Sequence, residues 1–355
     1  MRVSSWVVTK GGEPMTLAER DETPGEGEVL VEVAGCGVCH TDLGFFYDGV
    51  PTRHPLPLTL GHEIAGRVVA TGAGAQAWAG KAVVVPAVIP CGTCPACRAG
   101  RGGVCPKQVF PGNDVHGGFG SHVRVPARGL CAVPDLADRA KNPAGLALAD
   151  LSVIADAIST PYQAVVHAGL QAGDLAVFVG AGGVGGFGVQ VAAALGAAVV
   201  AVDPSKERLE LAAAHGASLA LEPGPADGKA LKAAVRDFAK ARGVPTWRWR
   251  IFETSGSPQG QATAFSLLAP GAHLGVVGFT PAKVELRLSN LMAFDATARG
   301  TWGCLPELYP AVLDLVLSGK VAVTPFLERR PLASVNATFD DLHHRRASKR
   351  VVLVP

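Results

Sequence analysis

Cys91, Cys94, Cys97 and Cys105 fall within 15 residues, beside Gly92, Pro95, Gly100, Gly102 and Gly103. Four thiolates on one glycine-rich loop suit a closed tetrahedral zinc, with no coordination position left for a substrate. An iron–sulfur cluster uses similar spacing and stays open as the alternative. Eight cysteines in 355 residues are too few for a disulfide scaffold, and their clustering points to metal. A second set is dispersed: Cys39-His40-Thr41-Asp42 and Gly61-His62-Glu63 each pair a soft or imidazole ligand with a carboxylate. Either dipeptide alone is more often structural than ligating.

Gly180-Ala181-Gly182-Gly183-Val184-Gly185 has the G-x-G-x-x-G form, and Asp203 stands 18 residues after Gly185. Glycines of this kind let a backbone approach a pyrophosphate at a helix N-terminus, and the carboxylate suits a ribose diol. The blander reading is a tight strand-to-helix turn. Asp203 would repel a 2′-phosphate, so NAD is expected over NADP.

These residues need elements to hold them. Residues 28–33, 63–69, 81–85 and 121–125 read as short strands between Gly/Pro turns, at the spacing of a small barrel. From about Gln171 the pattern changes: apolar strands at 175–179, 197–202, 250–252 and 272–277 alternate with helical stretches such as 184–195. That alternation predicts a doubly wound parallel sheet, giving an α/β chain with a β-rich domain around an inserted nucleotide domain. Residues 306–318 carry Leu308, Val312, Leu315 and Val316 on one face and stop at Gly319, which predicts a returning helix.

Hydrophobic residues make up 48% of the chain and charged residues 17%, a globular rather than a disordered composition. Lys+Arg number 32 against Asp+Glu 30, without blocks, so charge gives no support to nucleic-acid or membrane-surface partners. The uncharged run from Leu175 to Val202 is long enough to span a bilayer, but seven glycines divide it into strand, turn, helix and strand. Residues 1–10 lack an apolar leader core, so a cytoplasmic location is expected.

Taken together, Gly37 to Asp42, Gly61-His62-Glu63, the cysteine lobe, Gly117-Gly118-Phe119 and the 180–185 loop with Asp203 resemble the zinc-dependent medium-chain alcohol dehydrogenases over essentially the whole length. The resemblance implies a GroES-like β-barrel catalytic domain at 1–157 and 301–355, with a zinc lobe at 91–105, and a Rossmann NAD-binding domain at 158–300. It implies two zinc ions per chain, NAD, and a homo-oligomer, dimer or tetramer. The catalytic zinc would take Cys39, His62 and a third ligand six residues before Tyr162. That position is Asp156, where many relatives have Cys. Glu63 matches the neighbouring carboxylate that binds zinc transiently, Thr41 the hydroxyl that accepts the alcohol proton, and His40 the pyrophosphate contact. The cofactor set is His40, Gly180, Gly182, Gly183, Val184, Gly185, Asp203 and Arg208. The relay histidine of several relatives is replaced by Gly44, which leaves His54 or a water chain for proton exit.

Residues 49–58, 111–119, 288–294 and 300–304 resemble more narrowly the 6-hydroxycyclohex-1-ene-1-carbonyl-CoA dehydrogenases, which oxidise a ring secondary alcohol in benzoyl-CoA degradation. An acyl-CoA substrate would need cations for its phosphates, and Arg53, Arg101 and Lys107 are the candidates. An ordinary secondary or aromatic alcohol dehydrogenase needs no such cations. A zinc-free nucleotide-binding protein on the same fold is the reading from another class.

Overall fold

The computed structural model describes residues 1–224 and 228–355. Contacts divide the chain into two units, one of residues 1–159, 303–319 and 323–355, the other of residues 160–302 and 320–322.

The first unit opens with a hairpin, β1 (Arg2–Val7) and β2 (Thr16–Asp21), which the sequence pattern does not announce. There follow β3 (Glu28–Gly37), α1 (His40–Tyr47), β4 (Glu63–Thr71), β5 (Ala82–Val85), the short α2 (Pro95–Arg98), β6 (His122–Pro126) and β7 (Cys131–Ala132). The four strands expected between residues 28 and 125 are present, within a residue or two at their starts. β3 is the hub. Its first half pairs with β6 and its last two residues with a strand from the C-terminus, while β4 runs along nearly all of it. Register shifts at Leu30/Val31 and Val33/Gly35 bend β3 so that it can serve three neighbours. Val29, Val31, Ile64, Val83, Val123 and Phe119 fill the core behind this sheet. Gly35 has a steric reason: a Cβ there would lie 2.9 Å from Ala149, on the 3₁₀ segment Leu148–Ala155.

The second unit carries most of α3 (Ser159–His167) and then β8 (Leu175–Val179), α4 (Gly185–Ala194), β9 (Ala198–Val202), α5 (Lys206–Ala214), β10 (Leu219–Leu221), α6 (Lys229–Ala241), β11 (Trp249–Glu253), α7 (Pro258–Ser266), β12 (His273–Val276), α8 (Ser289–Ala293) and β13 (Thr297–Gly300). The six strands form one parallel sheet in the order β10-β9-β8-β11-β12-β13. The uncharged 175–202 run is therefore β8, α4 and β9, buried in a sheet. Among the described residues no helix is long and apolar enough to cross a membrane.

The chain returns to the first unit through a 3₁₀ turn at Pro306–Leu308 and α9 (Tyr309–Leu317). β14 (Leu327–Pro331), α10 (Val335–His343) and β15 (Arg350–Val354) follow, and β15 pairs with both β14 and β3. The GroES-like and Rossmann fold class expected from the sequence is the fold observed.

Candidate metal centres and nucleotide loop

Cys39, His62, Glu63 and Asp156 bring one ligand atom each to within 4.8 Å of one another. Cys39 is the N-cap of α1, in extended backbone. Its N–H donates to Asp42 Oδ2 at 2.9 Å, while Asp42 Oδ1 accepts from Gly61 N–H at 3.1 Å and faces His62 Nδ1 at 3.3 Å. One fully buried carboxylate thus holds the backbone of one donor and stands beside the ring of the next, without hydrogen-bond geometry to His62 Nδ1. His62 Nε2 lies 3.6 Å from Asp156 Oδ2, the side of the ring that faces the other donors. Gly61 turns the chain into this position at φ +97°, and a Cβ there would meet Cys36 Sγ at 2.8 Å.

Asp156 ends the Leu148–Ala155 segment. Tyr309 Oη donates at 2.5 Å to the carbonyl of Ala155, the residue before it. Arg329 on β14 holds Asp150, in the same segment, through bonds of 2.7 and 2.5 Å. Cys39 Sγ lies 3.6 Å from Asp156 Oδ2 and 3.7 Å from Thr41 Oγ1, so the hydroxyl is beside the donor set.

The electrostatics call for a cation. Burial disfavours a charged His62, yet Asp42, then Asp156 and Cys39, raise its pKa well above the ordinary histidine value. Glu63 is raised by burial and by Asp156 against the pull of Arg350. A thiolate, an imidazole and a carboxylate inside an acidic pocket are a donor set for zinc, neutral overall once the ion is bound. Both oxygens of Glu63 are bonded to the buried Arg350 of β15, with Nε to Oε2 at 3.0 Å and a closer Nη2 to Oε1 contact. It can reach a metal only by loosening that pair.

In the cysteine lobe, sulfur–sulfur distances are 3.5 Å (Cys94–Cys97), 3.7 Å (Cys94–Cys105) and 3.9 Å (Cys91–Cys97). Four sulfurs at zinc–thiolate bond length stand about 3.8 Å apart at tetrahedral corners, so the cage has the size of the ion. The backbone N–H of Thr93, then its hydroxyl, draw the Cys91 thiol down to about 5, which makes it a thiolate at neutral pH.

The loop after β8 is built as a cradle. Gly180 has φ +100°, and a Cβ there would come 2.6 Å from the backbone of Ser255; one on Gly185 would strike the Gly180 carbonyl. Gly182 instead has only Arg208 nearby, 3.5 Å from where a Cβ would sit, and its lack of a side chain leaves that approach open. Gly183 and Val184 form the turn, and α4 begins with no side-chain cap on its first N–H groups. Asp203, at the end of β9, accepts from Ala181 N–H and Ser205 N–H, each at 2.8 Å, with Arg208 Nη1 at 3.8 Å. His40 is exposed on the first turn of α1.

The cations expected for a CoA phosphate fare differently. Arg101 and Lys107 are exposed on or beside the cysteine lobe. Arg53 is paired with Asp114 at 2.9 Å, so its charge is partly answered within the chain. Asp42, Arg350, Arg329 and Tyr309 were not singled out from sequence. Asp42 had a signal, since Cys39-x-x-Asp42 has capping-box spacing. The others reach the site only through folding of residues 309–350.

Two zinc ions per chain are the expected result of elemental analysis on protein purified without chelator. One ion, or iron, would remove a site. Cys94→Ser should lower folded yield and thermal stability, whereas Asp156→Ala should chiefly lower turnover and leave one zinc. Asp203→Ser should narrow the NAD/NADP ratio of kcat/KM, read from steady-state kinetics with both cofactors. It should also cost about 1–3 kcal/mol of stability, because two N–H groups lose their acceptor.

The Alcohol dehydrogenase GroES-like domain family matches residues 25–135, and the Zinc-binding dehydrogenase family matches residues 183–318. An alcohol dehydrogenase of Geobacillus stearothermophilus is 30% identical over 331 residues, 92% of this chain and 91% of that protein. An NAD-dependent alcohol dehydrogenase of Sulfolobus acidocaldarius is 31% identical over 368 residues, 99% of each. The crystal structure of the alcohol dehydrogenase of Aeropyrum pernix superposes with a TM-score of 0.85 at 27% identity, covering 99% of this chain and 100% of that one. The chain belongs to the zinc-dependent medium-chain alcohol dehydrogenases and is an NAD-dependent enzyme of that family.

Proposed function

We propose that this enzyme oxidises a secondary ring alcohol to a ketone, with Cys39, His62 and Asp156 holding the catalytic zinc and Cys91, Cys94, Cys97 and Cys105 the structural one. The observation that carries the reading is the convergence of Cys39 Sγ, the His62 imidazole and the Asp156 carboxylate, with Thr41 Oγ1 only 3.7 Å from the sulfur. When bound, zinc supplies Lewis acidity that makes an alcohol proton easier to remove, and NAD supplies the hydride acceptor. Thr41 Oγ1 takes the alcohol proton as its own leaves. Asp203 orients the adenosine ribose, and Gly182 lets the pyrophosphate approach the backbone. The first unit is the catalytic domain and the second the nucleotide domain. Thr41→Val should keep both zinc ions and NAD affinity while slowing oxidation roughly 10²–10⁴-fold under conditions where hydride transfer limits. An unchanged rate there means that another group handles the proton.

The finer substrate is 6-hydroxycyclohex-1-ene-1-carbonyl-CoA, as the 49–58, 111–119 and 288–294 segments suggest by resemblance. A CoA handle would add binding energy remote from the carbinol, so truncating it should lower kcat as well as raise KM. Arg101 and Lys107 remain the cations for its phosphates. The pairing of Arg53 with Asp114 favours the second reading, a general secondary alcohol dehydrogenase. Assays across cyclohexenol and hydroxyacyl-CoA thioesters decide: comparable kcat/KM for the two excludes the CoA ester.

The homo-oligomer has a surface to form on. β13 is the outer strand of its sheet, and all four of its residues are exposed. An open edge of this kind invites pairing with a second copy about a two-fold axis. Ala298→Pro should shift the mass seen by light scattering towards the monomer, whereas a wild-type monomer overturns the reading.

A further inference from the structure

Two loops of the first unit are fastened to each other by a compact set of bonds. The Asn113 side-chain oxygen accepts from Arg53 N–H at 2.9 Å, and the Asn113 carbonyl accepts from His54 N–H at 2.8 Å. The Arg53 guanidinium meets Asp114 Oδ1 at 2.9 Å, and the other Asp114 oxygen accepts from Phe110 N–H at 2.8 Å. Asn113 is 7% exposed, so its amide is a buried cross-link and not a surface contact.

The first of these loops lines a cavity beside the elements that carry Thr41 and His62. Residues 49–52 and 54–56 line a cavity of about 370 Å³ together with Val8, Phe45 and Leu60. Phe45 is one helical turn beyond Thr41 on α1, and Leu60 immediately precedes Gly61-His62. Phe110, whose N–H Asp114 holds, puts its ring edge-on to His62 with centroids 4.9 Å apart, and packs on Phe45 at 6.4 Å. The cavity is mostly apolar and of a size for a six-membered ring with a substituent. Its outer wall has little regular structure of its own, and Asn113 and the ion pair give that wall a fixed position.

We propose that Asn113 and the Arg53–Asp114 pair form a latch that positions the 49–58 loop as a wall of the alcohol pocket and so selects bulky, ring-bearing alcohols over small ones. The proposal rests on the alcohol dehydrogenase reading of the zinc centre. It gives Arg53 a positioning role in place of the phosphate contact expected from sequence. Loosening the wall removes packing around the ring, whereas 2-propanol fills too little of the pocket to depend on it to the same degree.

The test uses zinc-loaded enzyme carrying Asn113→Ala, Arg53→Gln or Arg53→Lys. Hydrogen exchange on the holoenzyme should show the Arg53 amide of Asn113→Ala exchanging at least ~10-fold faster, since it loses its side-chain acceptor, with the His54 amide, which keeps the residue-113 carbonyl, speeding up as the freed loop moves. The kcat/KM ratio of cyclohexanol to 2-propanol should fall about 10-fold, within the range one lost apolar contact commands. Most of the change should fall on KM for the ring alcohol, and zinc content should stay at the wild-type value. Arg53→Gln should show the same loss of selectivity, with Arg53→Lys restoring part of it. If Asn113→Ala fails to fold, Arg53→Gln carries the decision. Unchanged exchange at residue 53 overturns the latch, and faster exchange with an unchanged alcohol ratio overturns its role in selectivity. A wild-type enzyme that oxidises no alcohol defeats the proposed function instead, while the exchange result still reports on the loop bonds.

Discussion

The first unit is organised around an excess of buried negative charge. Asp42 and Glu63 are fully buried, His62 nearly so, and Cys39 and Asp156 stand within ligating distance of them. Among the described residues Arg350 is the buried fixed cation, and Glu63 takes it. Anions removed from water without partners are costly enough that they protonate or recruit a cation. The raised pKa values of His62 and Glu63 express that pressure, and a divalent ion on the proposed set of Cys39, His62 and Asp156 would relieve it. The sheet around the site is arranged accordingly. β15 brings Arg350 to Glu63 on β4, and β14 brings Arg329 to Asp150, so the arginines bonded to these two carboxylates come from the C-terminal strands.

Legibility in the sequence followed the range of the interactions. The cysteine cage was readable because all four sulfurs lie on one loop whose spacing nearly determines its geometry. The nucleotide loop was readable for the same reason: Gly180 and Gly185 answer to local steric limits, and Asp203 follows at the length of one α4–β9 crossover. Asp156 was legible only by resemblance, as nothing near it in the chain marks it as a ligand. Its placement depends on Tyr309, Arg329 and the clearance at Gly35, contacts separated from it by more than a hundred residues. The β1–β2 hairpin escaped notice because its second strand, Thr16–Asp21, is largely exposed and polar and carries no buried apolar alternation.

The sequence left the Arg53–Asp114 pair unseen. An arginine in a loop expected near the substrate is a reasonable phosphate ligand, and composition offers no way to distinguish that from an internal pair. Asp114 was equally visible, 61 residues away, but an ion pair between two loops has no spacing rule to reveal it. The Asn113 cross-link is subtler still, because it is made to backbone N–H groups that every residue possesses.

Aspartate as the proposed third donor gives a reason for the structure that converges on the segment before residue 156. A carboxylate carries the same charge as a thiolate, so the ligand set stays formally neutral with zinc, but its oxygen is a harder, less polarisable donor. That donor withdraws less of the ion's positive character and leaves a stronger Lewis acid for the alcohol. A carboxylate also has two oxygens and a rotatable terminal bond, so its approach is less fixed by chemistry than that of a single sulfur. The chain compensates at the backbone. Tyr309 grips the Ala155 carbonyl, Arg329 clamps Asp150, and Gly35 lets the 148–155 segment lie flat on β3. On the proposed ligand set, orientation that a cysteine would obtain from its own bond geometry would fall to three distant residues that hold the segment leading to Asp156.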